Sequence, residues 1–404
     1  MIFCNLIKFH FLHSWEQRKL KDLIVDLKSG LSRMLKNEDI GVPVVRANNI
    51  EDNKLDMNND VKYWYNPDPQ GAKIENYTIK KDDILINFIN SEAKMGTATI
   101  VKKTPIRPII YTTNILRMRT NTLLKPYFYL THTNLQQYKN YIKQIMKPAV
   151  NQASFTTVDY KNYNLKIPKE DEQHKIELIF KNIDNLITLH QRECDQLKEL
   201  KKSMLKKMFP RDESSIPEVR FAGFTDAWEQ RKLRDEAIEI LAGGDIDKEK
   251  TVENGKYPIY ANALTNDGIV GYYDDFYRVT APAVTVTGRG EVGYAKARMT
   301  HFTPVVRLLA VCSNHDCYFL ENAINNHKVV VESTGVPQLT VPQLSSYNIF
   351  FPANDKEEVR IGKYFHTLDN LITLHQRNYN SLNRCKFSKI TKNLLISHMV
   401  FIRK

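Results

Sequence analysis

Two long segments of the chain carry apolar residues at helical spacing. The first begins after Pro168, and its stripe includes Ile176, Ile183, Leu186 and Leu197. Steps of three and four residues place such side chains along one side of a helix, as in the seam of a coiled coil. Acidic residues at 170–172 suit the positive end of a helix dipole. The pattern predicts a helix over 169–209 that packs lengthwise against a partner.

A second segment, after Pro352, repeats this pattern. Its stripe includes Ile361, Leu368, Leu371 and Leu382. Two matching stripes in one chain predict that the two helices, the second over 354 to about 395, pack on each other. His190 and His375 fall inside the two stripes. We interpret them as buried polar residues that fix the register of the helices, and not as metal ligands or catalysts.

The segments that precede each helix have a different pattern. Residues 41–119 contain short β-rich runs such as VPVVRANNI and DDILINFIN, and residues 257–313 contain comparable runs. Asn, Asp, Gly and Pro separate these runs, as expected for strands joined by turns. Each segment therefore predicts an α+β domain built on a twisted sheet, and residues 210–227 predict a linker.

Two peptides occur twice. WEQRKL stands at 15–20 and again at 228–233, and DNLITLHQR stands at 184–192 and again at 369–377. The offsets are 213 and 185 residues, so the variable stretch is 28 residues shorter in the second copy. The chain thus contains two copies of one unit, each a constant frame around a variable insert.

Most of the net positive charge of the chain lies in the first copy. The 404 residues carry a net charge of +12, and residues 1–167 hold 25 Lys and Arg against 15 Asp and Glu, a net +10. A basic domain suggests a polyanionic partner such as nucleic acid, because bound phosphates release condensed counterions. A merely basic, solvated surface is the alternative.

The sequence indicates an intracellular protein. No apolar run approaches the roughly 18 residues of a membrane-spanning helix. The five cysteines are odd in number and scattered, which argues against a disulfide framework. We therefore expect a cytoplasmic location.

Three fragments partly match catalytic or metal motifs. GRGEVG at 288–293 fits a dinucleotide-binding loop, but Pro304 leaves no room for the helix that must follow. Asp68, Glu92 and Lys94 loosely match a magnesium-dependent nuclease. Cys312, His315 and Cys317 offer three zinc ligands, but no fourth ligand lies near them in the sequence. Because none of these sets is complete, we predict no catalytic residue, no metal and no cofactor.

The loops of the two inserts offer side chains suited to reading base edges and gripping phosphates. In the first insert these are Arg46, Asn48, Asn49, Asn87, Asn90, Ser91 and Lys94. In the second insert they are Asn262, Thr265, Asn266, Thr287, Arg289 and Lys296.

Further motifs accompany the repeated peptides: IPKEDEQHKI and FPANDKEEVRI stand at the helix starts, and the linker reads VRFAGFTDAWEQRKL. With these motifs, almost the whole chain resembles the specificity subunit of type I restriction-modification enzymes. The resemblance implies a non-catalytic subunit whose two target-recognition domains each bind half of a split sequence in double-stranded DNA. It also implies two antiparallel helices that set the separation and recruit two methyltransferase subunits, which motor-nuclease subunits join.

The resemblance gives a pseudo-twofold internal repeat with four parts. These are a first recognition domain over 1–167, a central helix over 168–210, a linker with the second recognition domain over 211–352, and a distal helix over 353–404. The apolar stripe of the distal segment is blurred after Leu382, which suggests weaker partner docking there. Two alternative hypotheses are a coiled-coil scaffold that binds only proteins and a stand-alone nuclease.

Overall fold

The computed structural model describes residues 15–150, 152–211, 214–263, 265–328 and 337–399, with side chains up to residue 386. The chain forms two compact units. The first contains the chain up to Leu189 and again from Asn378, and the second runs from His190 to Arg377. No helix in the described ranges is long and apolar enough to cross a membrane.

The first unit contains a β-rich domain followed by the start of a long helix. Its strands are β1 (Glu16–Lys19), β2 (Ile24–Ser29), β3 (Gly41–Val45), β4 (Ile50–Glu51), β5 (Lys54–Leu55), β6 (Lys62–Tyr65), β7 (Ile84–Asn87), β8 (Ile89–Asn90), β9 (Ala98–Ile100), β10 (Ile110–Tyr111), β11 (Ile115–Thr120), β12 (Lys147–Pro148), β13 (Ala153–Ser154) and β14 (Asn164–Ile167). Its helices are α1 (Pro126–His132), α2 (Gln136–Ile145), α3 (Thr157–Lys161) and the central helix α4 (Glu170–Lys207), which continues into the second unit.

The second unit contains a shorter β-rich domain and most of a second long helix. Its strands are β15 (Glu229–Lys232), β16 (Ala237–Ala242), β17 (Tyr257–Tyr260), β18 (Ile269–Tyr273), β19 (Ala283–Val286), β20 (Ala295–Arg298), β21 (Thr303–Pro304), β22 (Leu309–Ser313) and β23 (Asn348–Phe351). Its helices are α5 (Leu233–Glu236), α6 (Cys317–Asn326), α7 (Val341–Ser345) and the distal helix α8 (Asp355–Met399).

The two domains share one topology. A four-stranded antiparallel sheet has the order β2-β11-β7-β9 in the first domain and β16-β22-β19-β20 in the second. A three-stranded sheet has the order β10-β3-β6 in the first and β21-β17-β18 in the second, with one parallel pair in each. The first domain adds the hairpin β4–β5 and the small sheet β12-β13-β8, in line with its longer insert. The predicted internal repeat is confirmed.

The repeated peptide WEQRKL forms the entry strand of each domain. In the first domain β1 pairs with β14, from Glu16 opposite Ile167 to Lys19 opposite Asn164. In the second, β15 pairs with β23 in the same register, from Glu229 opposite Phe351 to Lys232 opposite Asn348. Because the exit strand is tied to the entry strand, each long helix starts directly at the base of the domain that precedes it.

The start of each long helix is part of a domain core. Ile176 and Phe180 of the central helix pack with Leu20, Leu116 and Phe128 in the first domain. In the second domain, the distal helix contributes Ile361, Phe365 and Leu368 to a core that contains Phe319 and Phe351. Burial of several large apolar side chains, at about 1.5–3 kcal/mol each, anchors each helix to its domain.

A glycine allows the distal helix to approach α6 closely. A Cβ added to Gly362 would lie 2.0 Å from Oδ1 of Asp316. That carboxylate caps α6 by accepting a hydrogen bond from the backbone of Phe319 at 2.8 Å. The cap and the glycine together fix the distal helix against the domain.

The two long helices are antiparallel. In the second unit, Nδ1 of His190 lies 3.1 Å from Nδ1 of His375, and Nζ of Lys201 lies 2.7 Å from the carboxylate of Asp369. Residue numbers rise along one helix as they fall along the other, as an antiparallel pair requires. In the first unit Lys386 contacts Asp184 at 2.5 Å. The predicted fold class, two β-rich domains joined by two long antiparallel helices, is confirmed.

Two of the eight leucines and isoleucines in the predicted stripe are more exposed than the others. Leu186 and Leu371 occupy equivalent positions of the repeat and are 39% and 38% exposed. Ile187, one residue after Leu186, is buried instead. One residue turns a helix by about 100°, so a stripe read at a period of 3.5 cannot choose between neighbouring apolar residues.

Candidate DNA interface

The loops that carry the candidate residues meet at one edge of each domain. In the first domain, Val45 at the end of β3 lies beside Tyr111 at the end of β10, and Asn87 at the end of β7 lies opposite Ile115. In the second domain, the ends of β17, β19 and β21 and the start of β22 have the same arrangement. Loops at the ends of strands are frequent positions for binding residues.

In the second domain Asn262 connects two of these loops. Its Nδ2 donates a hydrogen bond to the carbonyl of Val306 at 2.6 Å, and its Oδ1 accepts one from the backbone N–H of Gly288 at 2.7 Å. A Cβ at Gly288 would lie 2.7 Å from the carbonyl oxygen of Arg307, so the loops approach too closely for any other residue. Asn262 therefore positions the two loops.

Two exposed arginines extend from the connected loops. The guanidinium groups of Arg289 and Arg307 lie 3.4 Å and 3.5 Å from Oε1 of Gln338. Neither arginine forms an ion pair with a carboxylate among the described residues. Guanidinium groups that converge in this way have the chemistry to bind anions and guanine edges.

The turn that carries Arg307 has an unusual backbone. Val306 and Arg307 have φ angles of 52° and 61°, in the left-handed region that a β-branched residue rarely adopts. The turn is held by backbone hydrogen bonds from Val306 to Gly244 and from Arg307 to Gly243. Such strain costs about 1–3 kcal/mol and is concentrated at functional sites.

Sequence analysis missed Arg307. The peptide VVRLLAV looks like an uninterrupted buried strand, so no turn signal precedes or follows the arginine. Its proximity to Arg289 follows from the antiparallel pairing of β19 with β22, in which Val286 lies opposite Leu309. The sequence contains no local signal for this pairing.

The other candidates in the second domain have structural or surface positions. Thr287 is buried, and its hydroxyl donates to the carbonyl of Glu291 and accepts from the backbone of Tyr294 at 2.9 Å, which shapes the loop of Arg289. Thr265 and Asn266 are exposed on a turn, and Nδ2 of Asn266 donates to the carbonyl of Ile269.

Lys296 lies on β20 and is half-buried. Burial lowers the pKa of its amine, but the negative charge of Glu321 and further acidic neighbours outweigh that effect and raise the pKa. The lysine thus remains charged and faces acidic groups of its own chain.

In the first domain the candidates divide into exposed and buried groups. Asn48 and Ser91 are exposed, and Lys94 lies 3.9 Å from the carboxylate of Glu51. Arg46 forms an ion pair with Asp60 at 2.5 Å. The amide of Asn90 accepts from the backbone of Ser91 at 2.8 Å.

The remaining two asparagines of the first domain are buried. Asn87 donates to the hydroxyl of Thr97 at 2.9 Å. Asn49 accepts a hydrogen bond from the backbone of Arg46 at 2.9 Å. Each amide makes a hydrogen bond inside the domain and shapes the loops from within.

The acidic residue Asp68 of the nuclease motif is engaged within its own domain. The buried carboxylate of Asp68 forms an ion pair with Arg33 at 2.6 Å and accepts hydrogen bonds from Trp64, Gln70 and Ala72. These contacts occupy the hydrogen-bond acceptor positions of the Asp68 carboxylate oxygens. They hold the pKa of the carboxyl well below its usual range. The group is structural.

The other two motifs are structural as well. The loop 287–294 leads from β19 directly into β20, so no helix follows GRGEVG. Cys317 is a buried thiol that donates to the carbonyl of Ala283, and burial raises its pKa to about 12. His315 contacts Glu236 and Glu358, not the cysteines.

Each long helix also exposes one pair of leucines that the repeat relates to a pair on the other helix. Leu186 and Leu189 of the central helix correspond through the repeat to Leu371 and Leu374 of the distal helix, and all four are exposed. Residues three apart lie on the same face of a helix, so each pair forms a small apolar patch. Repeated apolar surface on a polar helix is typical of protein docking sites.

Comparison with known proteins agrees with this architecture. The family described as type I restriction modification DNA specificity domain matches residues 13–199 and 225–384. A type I restriction enzyme specificity subunit of Methanocaldococcus jannaschii is 25% identical over 96% of this chain and 94% of its own length. A type I specificity subunit of Mycoplasma pneumoniae is 32% identical over 31% of this chain and 36% of its own length.

Solved structures show the same fold. The specificity subunit of the type I restriction-modification system of M. genitalium superposes with a TM-score of 0.67 at 13% identity. The match covers 96% of this chain and 97% of that subunit.

The duplicated β-rich domains on paired helices, with polar loops at one edge of each domain, define a DNA-binding protein with two recognition modules. The family match extends over both modules and most of both helices. The chain belongs to the type I restriction-modification DNA specificity family. It is a non-catalytic specificity subunit, which supplies target recognition to a complex with modification and restriction subunits.

Proposed function

We propose that the strand-end edge of each domain contacts one half of a split DNA target. In the second domain the unneutralised pair Arg289 and Arg307 carries the proposal, since two guanidinium groups on a rigid edge match phosphates and guanine edges. Asn262 and Thr287 position these loops. In the first domain Asn48 and Ser91 have exposed side chains at the same edge, beside Arg46 and Asn90.

The other candidate residues have weaker support. Thr265, Asn266 and Lys94 extend the surface next to the two edges. Asn49 and Asn87 support the loops from inside, and Lys296 faces acidic groups of its own chain. We therefore assign DNA contact first to Arg289 and Arg307.

The domain boundaries follow from the same proposal. The first recognition domain extends over 1–167 and the second, with its linker, over 211–352. The repeated scaffold comprises the segments 168–210 and 353–404. Residues 1–14 and 400–404 of these ranges lie outside the part of the chain that the structure describes. Because the target is DNA, we place the subunit in the cytoplasm.

The repeated leucine patches fit the two methyltransferase subunits. Leu186 with Leu189 lies in the first unit, and Leu371 with Leu374 lies in the second. Two equivalent patches, one in each unit, offer two copies of one partner the same contact.

The experiment that tests DNA contact compares arginine variants in the assembled methyltransferase. The wild type and the double variant Arg289→Ala/Arg307→Ala are each expressed with the modification subunit, and methylated sites are mapped across a genome. The expected result is relaxed recognition of one half-motif, because loss of a guanine contact costs about 1–3 kcal/mol at that position.

Arg234→Ala is the matched control, since Arg234 is an exposed arginine of the same domain that pairs with its neighbour Asp235. Its methylation motif should equal that of the wild type. An unchanged motif in the double variant would remove both arginines from the interface.

A further inference from the structure

Three side chains with metal-ligating atoms converge where the central and distal helices meet in the second unit. Nδ1 of His375 lies 2.8 Å from Oε2 of Glu193 and 3.1 Å from Nδ1 of His190. The remaining distance, from Nδ1 of His190 to Oε2 of Glu193, is 3.5 Å. Of the residues that the structure describes, these form the one cluster of three potential metal ligands.

The spacing fits a transition metal. Bonds of 2.0–2.2 Å to imidazole nitrogen and carboxylate oxygen at tetrahedral angles place neighbouring ligand atoms about 3.3 Å apart. The three observed distances fall on both sides of that value. A metal ion can therefore contact all three atoms with only small side-chain adjustments.

The chemistry of the cluster calls for a cation. Both imidazoles point the same ring nitrogen at the other and at a carboxylate oxygen. Three atoms with lone pairs facing one point repel each other unless a proton or a metal ion lies among them. Two imidazoles and one carboxylate suit zinc and its neighbours in the transition series, and not magnesium or calcium.

The cluster is rigid and open to solvent. His190 and Glu193 lie one turn apart on the central helix, and His375 approaches from the distal helix. Their side chains are 19–37% exposed, which leaves room for a water molecule as the fourth ligand. The repeat explains the two histidines, since His190 and His375 are equivalent residues of DNLITLHQR.

We propose that His190, Glu193 and His375 bind one divalent transition-metal ion of the zinc class, which links the central helix to the distal helix. The ion replaces a shared proton as the charge that holds the two histidines together. Because the ligands come from two helices, metal binding stabilises their pairing. This site is separate from the strand-end edges assigned to DNA.

The test is zinc titration of the full-length, tag-free chain by calorimetry, with cobalt absorption as a second readout. We expect calorimetry to show one saturable zinc site per chain. Bound cobalt should give the absorption bands of a site with a low coordination number and with nitrogen and oxygen ligands. The melting temperature should rise when zinc is added. His190→Gln, His375→Gln and Glu193→Gln should each weaken zinc binding by more than about 100-fold, beyond the roughly 10–100-fold cost of losing an outer-shell partner. Glutamine keeps the helix, so folding is checked by circular dichroism without metal.

Two control variants separate this site from other zinc ligands. His174→Gln removes an exposed histidine of the same helix and should leave zinc affinity unchanged. Cys194→Ser removes the buried thiol beside Glu193, whose sulfur lies 3.5 Å from Gln376, and should also leave it unchanged. Absence of saturable binding at roughly millimolar zinc, or affinity that persists in His190→Gln/His375→Gln, would overturn the proposal. So would loss of binding in Cys194→Ser alone.

Discussion

His315 joins three elements of the second unit through two carboxylates. Its Nε2 lies 2.8 Å from Glu236 at the end of α5, and its Nδ1 lies 3.0 Å from Glu358 in the first turn of the distal helix. Burial lowers the pKa of the imidazole, but hydrogen bonds and negative charge from Glu358 and Glu236 outweigh burial and raise it. The protonated ring donates to both partners and binds the helix to the domain.

This arrangement predicts pH-dependent stability. A raised pKa in the folded state means that His315 stabilises the fold fully below the unfolded value of about 6.5, and that this stabilisation is lost as pH rises through the folded pKa. Arg231, 3.2 Å from Glu236, offsets part of the negative charge at every pH in this range. At about pH 6 we expect the wild type to have a higher melting temperature than the His315→Gln variant. This difference in melting temperature, the gap, should narrow toward about pH 9.

Thermal unfolding of both chains across this range measures the gap. His174→Gln, which removes an exposed histidine, should show no pH-dependent gap relative to the wild type. A gap for His315→Gln that stays constant with pH would mean that the imidazole acts only by packing, for example through its contact with Phe351.

Single residues also show what the sequence alone cannot reveal. Asp68 matched a nuclease motif, yet four hydrogen-bond donors around its carboxylate give it a buried structural role. Arg307 matched nothing, yet the pairing of β19 with β22 brings it beside Arg289. Both outcomes depend on partners distant in sequence, and residue type and local spacing contain no information about such partners.

At the scale of elements, strong periodicity made the helices predictable. The stripes predicted helices over 169–209 and from 354 to about 395, and the structure has Glu170–Lys207 and Asp355–Met399. The environment of each face was harder to predict. Ile176 and Ile361 pack into domain cores, whereas Leu186 and Leu371 are exposed. Each long helix therefore has one apolar face in a domain core and another that is exposed.

The exposed leucines predict how the methyltransferase subunits are recruited. Leu189→Asp and Leu374→Asp each place a charge in one patch, where burial against a partner would cost several kcal/mol. We expect each single variant to retain one modification subunit instead of two, and the double variant to retain none, as measured by native mass spectrometry of co-purified complexes.

Val158→Asp is the control, because Val158 is an exposed apolar residue of α3 in the first domain. It should keep two modification subunits. Retention of two by the double leucine variant would show that the partners dock elsewhere on the chain.

At the scale of the molecule, duplication explains both what is constant and what differs. Entry and exit strands have the same register in both domains, and the sheets have the same order. The sequence predicted this duplication because its peptides repeat nearly intact. It did not predict the strand order or the loops that meet at each edge, since the inserts diverge and β pairing depends on contacts distant along the chain.

The net charge of +12 predicts how the whole subunit binds DNA. Affinity for any duplex should fall linearly with salt on logarithmic axes, with a slope of about −0.9 for each phosphate neutralised. Arg289→Ala/Arg307→Ala should keep most of this slope, because many other cations remain, while it loses preference for the target over unrelated DNA. Fluorescence anisotropy on both duplexes between about 50 and 200 mM salt measures slope and preference together. A salt dependence near zero for the wild type would contradict phosphate binding. If the double variant lost the salt dependence but kept its preference for the target, the two arginines would bind phosphates and not read bases.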